Sequence, residues 1–434
     1  MRCPHAILPG HRAGLRGRST LPTVGMLLFA ALLPGCDQAS TGGALDLEAL
    51  PTLMAEADMR IGSVDDPEAG FSRVTGVDVD GDGQIYVFEG ADMQIRVYGP
   101  DGRLLRRIGR RGEGPGEFQR VARFGVVGDT VWTFDYAGER ITIFDRDGTV
   151  LSTGRADSRG IPLWNRCFGY VMPWTMRPDG LFTSLFGRVA CNPNTPAPEV
   201  GPADSVPVPR LLFDATGAIV DTIGDDGGPP PRMARPPEPS SEQGFRVIEV
   251  GGRPYVVPQR PTDLPRWIRL HDGRIVLTVP LPTSRNAAFT VTRIGLYADT
   301  VYSRRFRYEP GRYTPSELDA LAAEAASGGP FGGGGAPADP AVEPRLRAEM
   351  DFPEFRPATQ SVQVDRDGRL WILRDEPEGP TSRFALLDAQ GLPLGELELP
   401  GQPQLMWSRA DALWVVETDE FDVPWLVLYR IEGL

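Results

Sequence analysis

The stretch from Gly83-Gln84-Ile85-Tyr86-Val87 to Tyr98-Gly99-Pro100-Asp101-Gly102 returns 46 residues later, from Asp129-Thr130-Val131-Trp132-Thr133 to Phe144-Asp145-Arg146-Asp147-Gly148. Weaker copies continue to the C-terminus. One such unit of short strands and Asp-Gly turns cannot bury both of its faces, so several must pack side by side. Short antiparallel units repeating at this period close into a ring, and closure removes the sheet edges that an open array would expose. The chain is therefore expected to be an all-β propeller.

Each unit reads as an inner strand, a turn, a second strand, a loop, a third strand, an Asp-Gly turn and an outer strand. Six second-strand cores recur: Ile85-Tyr86-Val87, Val131-Trp132-Thr133, Leu181-Phe182-Thr183, Ile275-Val276-Leu277, Leu370-Trp371-Ile372 and Leu413-Trp414-Val415. Six blades follow, over residues 57–434, with insertions at 187–209, 225–258 and 307–348. The last unit ends at Leu434 without an outer strand. Arg60-Ile61-Gly62 matches the outer-strand ends Arg107-Ile108-Gly109 and Thr222-Ile223-Gly224, so the N-terminal strand is expected to complete the last blade. Residues 245–258 read as an extra hairpin, an insertion in preference to half of a seventh blade. Thr314-Pro315-Ser316-Glu317 is a capping box with proline at the first helical position, which predicts a short helix over 315–326 between blades four and five.

Residues 1–35 carry Arg2, Arg12, Arg16 and Arg18, no acid, and an apolar run from Met26 to Leu33. This is the pattern of a secretory signal. Its end, Leu33-Pro34-Gly35-Cys36, resembles the bacterial lipobox, which implies diacylation of Cys36; the alternative is an ordinary signal with a coincidental cysteine. Residues 36–56 are expected to be a tether, and the protein an extracytoplasmic lipoprotein, periplasmic or at the cell surface. Loss of the four arginines takes the formal charge from −13 to −17, which argues against nucleic acid and anionic lipid surfaces as partners. All 45 basic residues are arginine. Cys167 and Cys191 then remain, and in an oxidising compartment they are expected to pair, closing a loop of about 24 residues worth ~3 kcal/mol by chain entropy.

Asp80-Gly81-Asp82-Gly83-Gln84-Ile85-Tyr86-Val87, Ile95-Arg96-Val97-Tyr98 and Gly112-Glu113-Gly114-Pro115-Gly116-Glu117-Phe118 resemble NHL-type repeats of bacterial six-bladed propeller lipoproteins. The resemblance implies the fold more than an activity, because family members serve as binding scaffolds or, in some branches, as enzymes.

The repeat also sorts the connections. Short Asp-Gly turns fall on one face of the disc, here the turn face; the long elaborations fall on the other, the loop face, together with both cysteines. Long loops on a rigid scaffold are where binding usually sits. Glu89, Asp135, Arg374 and Glu417 end the second strands there and are candidates for a ligand mouth; the alternative is that the acids hydrogen-bond the tight connection that follows.

Asp78 to Glu89 matches the calcium pattern D-x-D-x-D-G-x-I-x-x-x-E. With residues 84–89 on a strand, Glu89 would lie ~20 Å from the aspartates, so the match is read as turn chemistry and no metal or cofactor is expected. Once His5 and His11 leave with the signal, His271 alone remains, which excludes multi-histidine metal chemistry. The expected function is a monomeric, lipid-anchored scaffold binding a peptide, glycan or protein partner on its loop face. The alternative is a calcium-dependent hydrolase of the lactonase type, which would draw on carboxylates and on Asn165, Asn192, Asn194 or Asn286.

Overall fold

In a computed structural model of the protein, the described residues are 44–434 except 67–68, 157–160, 163–166, 192–208, 226–244, 251–252, 259–265, 271–272, 281, 296–298, 327–343, 345–353 and 377–378. They form a six-bladed β-propeller. Blade one contains Val74–Val79, Ile85–Glu89, Gln94–Tyr98 and Leu104–Ile108. Blade two contains Val121–Val127, Thr130–Asp135, Arg140–Asp145 and Val150–Arg155. In both, the strands hydrogen-bond in sequence order, all antiparallel. The other four blades follow the same plan, and the hairpin Phe245–Val250/Arg253–Pro258 forms a separate two-stranded sheet, an insertion as expected.

The repeat has a packing reason. The aromatic residues at the centre of the second strands, Tyr86, Trp132, Trp371 and Trp414, are all buried and project into the interfaces between blades. Tyr86 joins Val131 and Phe144 of blade two, Trp132 joins Phe182 of blade three, and Trp414 joins Val77 and Ile85 of blade one. Burial of each such ring contributes about 2–3 kcal/mol, which a lone blade would forfeit.

The turns also repeat physically. Asp80, Asp145, Asp214, Asp365 and Asp388 each accept hydrogen bonds from the amides two and four residues on. The residue between those donors is always glycine with φ between 71° and 90°, a conformation that Cβ disfavours. In the Asp80 turn this chemistry accounts for the calcium-like spacing.

Closure occurs at the expected place. Ala55–Ile61 pairs antiparallel with Pro424–Ile431 as the outer strand of blade six. The expected tether over 36–56 needs correction: its second half is part of the propeller. Leu45–Asp46 pairs parallel with the outer strand of blade four, and Thr52–Leu53 with that of blade five. Leu47, fully buried, sits in the core between those two blades. One segment thus straps three consecutive blades. The helix Pro315–Ala326 forms as predicted: Glu317 N–H donates to Thr314 Oγ1 at 3.3 Å, and the Thr314 amide donates to Glu317 Oε2 at 2.8 Å. Among the described residues no helix is long and apolar enough to cross a membrane.

Candidate functional site

The central channel has unlike ends. Near the turn face, Asp78 on the inner strand of blade one is buried and accepts from the Val126 amide of blade two at 2.8 Å and Trp407 Nε1 of blade six at 3.0 Å. It also pairs with Arg366 from the blade-five turn. One carboxylate therefore ties four blades together across the channel. Beside it, Arg146 from blade two reaches Asp80 at 2.7 Å and Asp82 at 2.6 Å. Burial opposes the charge on Asp80, yet the Arg146 guanidinium and the turn amides hold its carboxyl below the ordinary value. Each aspartate of the calcium-like motif thus has an arginine partner.

At the loop face, the four candidate mouth residues occupy equivalent positions in four different blades and do not converge. Glu89, fully buried, accepts from the amides of Ser72, Arg73 and Ala91 at 2.9–3.1 Å. Asp135 does the same with Gln119, Arg120 and Ala137 at 2.6–3.1 Å. Both carboxylates thus satisfy the connections at the ends of their strands, while Asp135 also borders a cavity of about 470 Å³. Glu417 accepts from Tyr429 Oη at 2.5 Å, and burial together with this carboxylate raises the Tyr429 pKa. Arg374 is buried and donates to Glu48 Oε1 of the N-terminal strap at 2.5 Å.

Arg374 also borders two cavities, about 370 Å³ between blades four and five and about 230 Å³ between blades five and six. These share Arg374, Glu376, Gly379, Thr381 and Arg383 in their walls. The second adjoins a third, of about 180 Å³, through Gln363 and Leu405. Together they form a groove from the loop-face rim to the channel, where Arg366 and Trp407 line its inner end. The exposed inner-strand side chains Ser361, Gln363 and Gln404 give its channel side hydroxyl and amide groups. At the rim, the helix docks through Glu317 onto buried Arg356, which also donates to Asp375 at 3.0 Å.

Across the ring from blade five lies blade two. The inner strands of blades one, two and five share a register irregularity at the same level, at Val74/Gly76, Val121/Arg123 and Thr359/Ser361, and those of blades three and six carry one slightly nearer the turn face, at Pro173/Thr175 and Leu405/Trp407. Such bulges re-aim side chains. Here they bring the guanidinium of Arg123 over the Trp174 ring, 3.4 Å from its centroid. Burial lowers the Arg123 pKa, and among the described residues no carboxylate lies within ion-pair distance.

Sequence reasoning missed Arg123 and Trp174. One signal was available: the position aligned with Arg123 is Gly76 in blade one and Ser361 in blade five, so a long cation replaces a small residue. Cys167 and Cys191 lie directly opposite one another on antiparallel strands. Those strands run for ten residues each, against six and five in the corresponding strands of blade one. His271, Asn165, Asn192, Asn194 and Cys36 lie outside the described residues.

A family model described as a 6-bladed beta-propeller matches residues 70–162, the span of blades one and two. No curated protein matches the chain. Among solved structures the chain is similar to a candidate exported protein of Bacteroides fragilis, with 13% identity and a TM-score of 0.42 over 87% of this chain and 96% of that one. It is also similar to a member of the duf4221 family from Bacteroides vulgatus, with 10% identity and a TM-score of 0.43 over 88% and 99%. A third similarity is to a streptogramin B lyase, with 9% identity and a TM-score of 0.35 over 88% and 98%.

Proposed function

We propose that this protein is an extracytoplasmic, lipid-anchored propeller that acts as a monomeric binding scaffold, taking a glycan, a peptide or a segment of a partner protein on its loop face. The observation that carries this reading is the contrast between the two channel ends. On the turn face the acids that could hold a metal or activate water are held by arginines, whereas on the loop face a polar groove leads into the channel. Arginine-bound carboxylates are poor general bases, which weakens the hydrolase alternative.

Equilibrium binding of residues 44–434 to glycan and peptide arrays tests the reading, with the groove filled by Ser361→Trp. The turn-face control is Gly81→Trp, where an added Cβ meets nothing within 4 Å. Ligands are expected to lose at least tenfold in affinity with Ser361→Trp and little with Gly81→Trp. Equal effects of the two variants would refute a loop-face site.

The anchor on Cys36 and the Cys167–Cys191 disulfide belong to the same proposal. Facing residues on antiparallel strands have Cα atoms about 4.5–5.5 Å apart, within disulfide range. Intact mass of protein extracted from the envelope is expected to show an acylated chain starting at Cys36 and no thiol that alkylates before reduction. An unacylated chain, or two alkylated cysteines, would remove the corresponding part of the proposal.

A further inference from the structure

The groove between blades five and six is lined by polar side chains that the fold leaves unspent. Ser361 and Gln363 lie on one face of the blade-five inner strand, whose other face packs Val362 and Val364 into the core shared with blade four. Gln402 and Gln404 approach from the link and inner strand of blade six. All four are exposed, and all four line one cavity of about 230 Å³. Among the described residues none of their side chains makes a hydrogen bond or an ion pair. The cavity has a packing origin. At the matching interface of blades one and two, the Phe124 ring fills the space in front of Gly76, where an added Cβ would lie 2.5 Å from it. Ser361 holds the place of Gly76, and Leu405, facing Val415 as Phe124 faces Thr133, holds that of Phe124. The shorter side chain leaves the gap open.

Resting on the loop-face reading above, we propose that the groove takes an uncharged oligosaccharide, with one sugar ring held in this cavity by the amides of Gln363 and Gln404. A glutamine amide presents an acceptor and two donors side by side, the complement of neighbouring sugar hydroxyls that each donate and accept. At the inner end of the groove the half-buried Trp407, fixed by its hydrogen bond to Asp78, adds an aromatic surface for the apolar face of a second ring. Charge selects against an acidic ligand. Toward the rim, four acids and two arginines line the adjoining cavity, and both arginines are already paired, Arg374 with Glu48 and Arg383 with Glu376. A peptide is held chiefly by apolar anchors. Among the described residues no exposed large apolar side chain lines the groove to receive one.

Titration calorimetry of the full-length protein with cellotetraose, maltotetraose, mannotetraose and xylotetraose tests the assignment, with tetragalacturonate and tetra-alanine as the acidic and peptide comparators. At least one neutral tetrasaccharide is expected to bind saturably and more tightly than either comparator. Gln363→Ala and Gln404→Ala are each expected to weaken it by about tenfold, the loss of one or two hydrogen bonds. Both variants are expected to melt like the parent, since neither side chain has a partner in the protein. No binding by any of the neutral saccharides, a comparator that binds as tightly as the best of them, affinity indifferent to both variants, or a melting temperature lowered by several degrees would each overturn the proposal. An array peptide that binds in the absence of any saccharide and is lost with Ser361→Trp would overturn the saccharide assignment and leave the loop-face reading standing. Saccharide binding as sensitive to Gly81→Trp as to Ser361→Trp would remove both.

Discussion

A chain that begins after residue 61 is expected to lose cooperative folding, whereas a chain that begins at residue 44 is expected to melt like the parent. The shorter chain lacks the outer strand of blade six, which pairs along its length from Ala55 opposite Ile431 to Ile61 opposite Leu426. It also lacks both parallel edge strands and the buried side chains of Leu47 and Ile61. Each of those two side chains contributes about 2 kcal/mol by transfer, and the cavities left behind cost more. Each ladder hydrogen bond contributes about 1 kcal/mol. Together these losses are comparable to the net stability of a typical domain, about 5–15 kcal/mol. The blade-six strand Pro424–Ile431, apolar over Leu426 to Leu428, would then become an open edge that invites association. Calorimetry and size-exclusion chromatography check both outcomes, and a monomeric, sharply melting product lacking residues 1–61 would contradict the closure.

Asp78→Ala is expected to destabilise the protein by about 3 kcal/mol, whereas Asp82→Ala, at an acid that also pairs with an arginine, is expected to cost less than about 1 kcal/mol. The two differ in burial: the side chain of Asp78 is 3% exposed and that of Asp82 is 69% exposed. Arg366, 45% exposed, can return to water when Asp78 is removed. The Val126 amide and the Trp407 indole cannot do so as easily, and the loss is set mainly by leaving those donors without an acceptor. Asp78→Asn should fall between the two, since it retains an acceptor for Trp407 and gives up the charge that holds Arg366. Urea unfolding measures all three. Equal losses for Asp78→Ala and Asp82→Ala would show that the channel floor does not hold the blades together.

The difference between these two aspartates also marks how far the sequence could be read. Asp78 and Asp82 belong to one short motif, and as a motif they are equivalent. The repeat alignment separated the turn from a calcium loop because it puts residues 84–89 on a strand that carries Glu89 away from the aspartates, and because Asp365-Arg366-Asp367-Gly368 repeats the aspartate spacing as turn chemistry, which is encoded locally. It also led to the closing strand through Arg60-Ile61-Gly62. It did not show the two parallel edge strands, because two-residue backbone pairings leave no side-chain period, and Leu47 is a single apolar residue in a polar segment. Nor did it show that Arg374 meets Glu48, 326 positions away.

The sequence by itself determined the blade count, the turn chemistry, the strand that closes the ring and the face that carries the long loops. Each follows from periodicity or from hydrogen bonds within about four residues, and such interactions survive translation from one repeat to the next. Only the tertiary structure decided which side chains meet at the channel. Asp78 finds Arg366 and Trp407 at separations of 288 and 329 residues, and Arg123 finds Trp174 across a blade boundary. Those contacts depend on where ring closure and the inner-strand bulges place unlike residues of similar repeats, and a repeat alignment averages out that information.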